Sequence, residues 1–131
     1  MISNRKIFVT FQKEGIHCYP EAATDPKLNR SNDPVSKWLD VSFLAHPHRH
    51  MFHFTVWIDV NHNNRDIEFI QFKRWLENLY SQAILEVDYK SCEMLAEDLI
   101  DYITNGYPGR KISVIISEDG ENGAQLDYEP D

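Results

Sequence analysis

The sequence predicts an α+β domain: a four-stranded antiparallel sheet with two antiparallel helices on one face. Three observations carry this. Period-two alternation marks strands near both ends and in the middle of the chain. Two stretches between them repeat apolar residues at helical spacing. No internal repeat or linker divides the 131 residues, so residues 1–131 read as a single domain.

Residues 5–11 (RKIFVTF) put Ile7, Val9 and Phe11 on one side and Lys6, Phe8 and Thr10 on the other, which is a strand. Residues 19–38 hold three prolines and no period, so they read as a long loop, a feature that is often functional when it occurs inside a compact domain. Residues 41–60 (VSFLAHPHRHMFHFTVWIDV) read as a strand with a break, bulge or edge at Pro47. NHNNRD at 61–66 is a turn. In 67–84, Phe69, Phe72, Leu76, Leu79 and Tyr80 share a helix face. A second helix spans 91–104, with Ser91 as its N-cap, and NGYPGR at 105–110 stops it. KISVIIS at 111–117 is a strand, EDGENGA at 118–124 a hairpin turn, and QLDY at 125–128 the return strand. Trp57 and Trp75 read as core or interface residues.

Composition narrows the function. The 42% hydrophobic content excludes a disordered chain. A net charge of −8 argues against nucleic acid as a partner, because phosphate binding needs clustered Lys and Arg. No apolar run approaches the roughly 20 residues of a membrane span, so no membrane partner is expected. The N-terminus MISNRKIFVTF has no apolar signal core, and Cys18 and Cys92 are too few for a disulfide scaffold. The expectation is a cytoplasmic protein with free thiols.

Four of the six histidines fall between His46 and His53. On a strand, His46, His48 and His50 share a face, followed by Phe52, Phe54 and Val56, while His53 points the other way. Two imidazoles at i and i+2 have Cβ atoms roughly 7 Å apart and can grip one metal ion. A third ligand must come from elsewhere. His62 lies in the turn, which leaves His17, just after the first strand, if the first two strands are neighbours. Imidazole ligands suit zinc. The alternative is a polar histidine strip at a surface or interface.

HRHMFHFTVWIDV (48–60) resembles the HGHNYxVxV strand of the 6-pyruvoyl-tetrahydropterin synthase and 6-carboxytetrahydropterin synthase family, with His48 and His50 on its two metal ligands and His17 where the first is placed. RDIEFIQFKRWLE (65–77) resembles the entry to that family's first helix, with Glu68 on its Asp. SCEMLAEDLIDYI (91–103) resembles the opening of the second helix, and ISVIISEDGENGAQLDY (112–128) the last hairpin, with Glu118 on the Glu that anchors the pterin ring. The matches run in order over most of residues 5–128.

The resemblance implies the tunnelling fold, in which subunits join sheet edges into a barrel and stack as a hexamer with sites at subunit boundaries. It implies Zn2+ on His17, His48 and His50, and a pterin or purine-like small molecule held by Glu118, Ser91, Cys92 and Glu93. A carboxylate can accept both adjacent N–H groups of the amino-pyrimidinone edge, and the metal polarises the side-chain oxygens of the substrate. The implied activity is carbon–oxygen lyase chemistry on 7,8-dihydroneopterin triphosphate or a related pterin, toward tetrahydrobiopterin or queuosine biosynthesis.

Two features depart from the family pattern. WLDVSFLAHP (38–47) has no Cys before the histidine pair, and Asp88-Tyr89 stands where the family has Asp-His. That leaves Asp88 and Cys92 as the candidate catalytic groups, with Cys92 at a helix start that would lower a thiol pKa. Three readings follow: a zinc-dependent lyase, a catalytically altered protein that binds a pterin or purine-like ligand, and a structural oligomer.

Overall fold

The computed structural model describes residues 1–131. Its elements are β1 (Lys6–His17), β2 (His48–Asp59), α1 (Phe69–Leu79), β3 (Leu85–Asp88), α2 (Cys92–Gly106), β4 (Ile112–Glu118) and β5 (Asn122–Tyr128), with short 3-10 turns at Pro20–Ala23, Lys37–Leu39 and Ser42–Ala45. The class is α+β, as the periodicity predicts.

The sheet order is β3-β1-β2-β4-β5. β1, β2, β4 and β5 pair antiparallel in that order. The expected four-stranded antiparallel sheet therefore needs correction. A fifth strand, β3, pairs parallel with the end of β1 at Gly15↔Leu85 and Ile16↔Glu86, so the sheet is mixed and the order is ββαβαββ. The reading of 67–84 as one helix runs five residues past the end of α1 and leaves the strand that follows, 85–88, unassigned. α1 stops at Leu79, and Leu85 and Val87 turn inward from β3.

One sheet face is apolar throughout its middle. Val9 and Phe11 of β1, Phe52, Phe54, Val56 and Ile58 of β2, and Ile112, Val114 and Ile116 of β4 are buried there. Phe72 and Leu76 of α1, with Leu95, Ala96, Leu99 and Ile103 of α2, join them in one core cluster. Phe11 stacks on Phe54 with ring centroids 4.5 Å apart. Each helix starts at a side-chain cap. Glu68 accepts from Ile70 N and Gln71 N at α1, and Ser91 Oγ accepts from Met94 N at α2. A cap of this kind contributes about 1 kcal/mol. No helix is long and apolar enough to cross a membrane.

Candidate metal centre

Strand register brings the site together. β1 runs to His17, six residues past the predicted end, and pairs His17 with His48. Alternation keeps His50 on the same face as His48. The inner row of β4, Ile112-Val114-Ile116, ends in Glu118, which lies across from Phe52. Each apolar row therefore finishes in a potential ligand at the same end of the sheet. Gly15 permits this: a Cβ there would lie 2.8 Å from the Phe52 ring, which forms the floor under His17 and His50.

The ring centroids are 4.4 Å apart for His17–His48, 5.1 Å for His17–His50 and 4.9 Å for His48–His50. One ligand atom from each of His17, His48, His50 and Glu118 lies within 4.8 Å of all the others, so the group could hold a metal ion. Glu118 Oε2 is 3.0 Å from His17 Nε2 and 2.7 Å from His50 Nε2. These contacts lie outside hydrogen-bonding geometry, and the Nε2 atoms of all three rings are buried without a hydrogen-bond partner.

The outer nitrogens explain why. His48 Nδ1 is 2.7 Å from the carbonyl of His46, and His17 Nδ1 is a longer 3.5 Å from the carbonyl of Lys90. His50 Nδ1 is 2.7 Å from Asp119 Oδ2. Carbonyls and ionised carboxylates only accept, so each Nδ1 must donate. In a neutral imidazole the inner Nε2 then carries a lone pair and no proton. Three lone pairs and a carboxylate oxygen face one point, with no donor among them. That arrangement suits a cation and is the usual outer support of histidine metal ligands. Burial holds His17 below the ordinary imidazole pKa, against the opposing pull of Glu118, which favours the neutral form a metal needs.

The site opens on a cleft of about 530 Å³. His17, His48, Glu118, Ser91, Cys92 and Glu93 all border it. So do Tyr19 and Leu44, one from each end of the long excursion between β1 and β2, joined where Tyr19 N donates to the Leu44 carbonyl at 2.6 Å.

Three expectations change. His46 lies before β2 and is exposed, because Pro47 and the 3-10 turn at Ser42–Ala45 end the strand; its carbonyl rather than its ring serves the site. Asp88 is not brought to the cleft. It ends β3 at φ 57 with an exposed side chain, and its carbonyl accepts from Cys18 N. Cys92 reaches the cleft, but its thiol is pushed up to about 11 by burial, with the Glu118 and Glu93 carboxylates adding to the effect, and not lowered by the helix start. Sequence reasoning missed Asp119. Its carboxyl is held below the usual range by the His50 hydrogen bond and by Met51 N, yet in sequence it reads only as hairpin turn chemistry.

Compared with known protein families and with curated proteins, the chain matches none.

Proposed function

We propose that this chain is a zinc-dependent protein of the pterin-synthase type, acting on 7,8-dihydroneopterin triphosphate or a related pterin by carbon–oxygen lyase chemistry. The convergence of three Nε2 atoms that have no hydrogen-bond partner and a carboxylate, beside a cleft that His17, His48 and Glu118 border, carries this reading. Imidazole nitrogen and carboxylate oxygen are a donor set that zinc accepts. His17, His48 and His50 would hold the ion, which when bound polarises a substrate oxygen and acidifies the neighbouring protons.

The chain's own residues would do the positioning. Glu118 touches the imidazoles in this structure; rotated from them toward the cleft, it would accept the paired N–H groups of an amino-pyrimidinone edge. Ser91, Cys92 and Glu93 border the ring at the start of α2. Within the single chain, β5 is the last strand of the sheet, and β1 is covered by β3 only from Gly15 onward. Both free edges support pairing between copies, as a tunnelling-fold homo-oligomer, a cytoplasmic hexamer, requires.

A second reading is favoured by the raised Cys92 thiol and the outward Asp88: the protein binds a pterin or purine-like ligand at its metal without turning it over. Incubating the zinc-loaded protein with 7,8-dihydroneopterin triphosphate, and following both product and binding, decides between the two. Product supports the lyase. Retention of unchanged ligand supports the binding protein. No binding and no product overturns both.

A further inference from the structure

We propose that Asp119 is a positioning residue that sets the tautomer of His50 and so decides whether that ring can bind the metal. The inference rests on the metal-centre reading above. Asp119 sits in the β4–β5 turn at φ 57, a conformation open to Asp, Asn and Gly. The turn places its carboxylate over the end of β2, and each oxygen has its own donor. Oδ2 is 2.7 Å from His50 Nδ1, and Oδ1 accepts from Met51 N at 2.9 Å. The Asp119 backbone N–H also donates to the Met51 carbonyl at 2.8 Å, which fixes the turn against the strand.

An ionised carboxylate cannot donate, so it obliges His50 to keep its proton on Nδ1. Nε2 is then bare and faces His17, His48 and Glu118. His17 and His48 receive the same instruction from backbone carbonyls. His50 alone receives it from a side chain, so it alone can be altered by one substitution at a distance from the ion.

Asn is the informative replacement. It keeps the size of Asp and tolerates the positive φ. It offers one oxygen and one NH2 to two donors, so it can satisfy only one of them. The Met51 amide cannot move its proton, but the imidazole can. The oxygen therefore stays on Met51 N, the NH2 donates to His50 Nδ1, and the ring proton passes to Nε2. No proton is gained or lost, yet Nε2–H now points into the site and the third ligand is blocked. Ala removes both interactions and leaves the ring free to take either tautomer.

The order of effects separates this role from a merely structural one. Losing a turn hydrogen bond harms Ala more than Asn; a wrong tautomer harms Asn more than Ala. Zinc affinity is measured by chelator competition on wild type, Asp119→Asn and Asp119→Ala. Nitrogen NMR of the His50 ring is recorded without metal, above the ordinary imidazole titration range. The expected result is a loss of up to about 100-fold in Asp119→Asn, a smaller loss in Asp119→Ala, and a shift of the His50 proton from Nδ1 to Nε2 in the Asn variant. Wild-type affinity in Asp119→Asn, weaker binding by Ala than by Asn, or an Nδ1–H ring in the Asn variant overturns the proposal. A wild-type protein that binds no zinc overturns the metal-centre reading as well, whereas zinc binding that is insensitive to Asp119 overturns this inference alone.

Discussion

His17 and His48 are direct cross-strand partners, with ring centroids 4.4 Å apart, although 31 positions separate them in the chain. Their contact depends on a β1–β2 register that holds from Lys6↔Asp59 to His17↔His48. A one-residue slip would turn one ring to the opposite face. The candidate metal site is therefore a consequence of the same alternation that buries Phe52, Phe54 and Val56.

Gly15 is the weak point of that register. A Cβ there meets Phe52 at 2.8 Å, so Gly15→Ala forces the ring out of a full core. The expected cost is about 1–3 kcal/mol of stability, with the floor under His17 and His50 disturbed. Denaturant unfolding measures the first effect and zinc affinity the second; an unchanged midpoint contradicts the packing argument.

At the opposite end of the sheet, Asp66 accepts from Arg110 and from Asn61 N, and these bonds lower its pKa from 3.8 to about 2. A depressed folded-state pKa adds stability above the unfolded value, and that stability is lost as pH falls through the folded one. Wild type should therefore lose stability between pH 3.8 and about 2, and Asp66→Asn should lose less across that window. Urea midpoints at a series of pH values show this, and parallel pH profiles would contradict it.

The Cys92 thiol, raised to about 11, should resist alkylation near neutral pH in the folded protein and react once the chain is unfolded. Iodoacetamide labelling followed by mass mapping tests this. Rapid labelling of folded Cys92 would restore the acidified thiol expected from its helix position.

Much of this fold was legible because its core strands alternate cleanly. β2 and β4 carry their apolar rows without interruption. The end of β1 was hidden because Lys13 and Gly15 interrupt the apolar side of the pattern, although Lys13, Gly15 and His17 keep to the inward positions. β3 was hidden because it has four residues, of which only Leu85 and Val87 turn inward. VSFLA at 41–45 read as strand because it is apolar, yet it coils into a 3-10 turn, and Pro47 marks the true boundary. The three imidazoles were legible from spacing. Asp119 was not, since a turn Asp beside a Gly has an ordinary explanation.

The account depends most on the three Nε2 lone pairs meeting at a single ion. Metal analysis of untagged protein, with His48→Ala purified in parallel and checked for an unchanged circular dichroism spectrum, addresses that directly. Stoichiometric zinc in wild type and its loss in His48→Ala is the predicted result. Equal zinc in both proteins, or none in wild type, would contradict it.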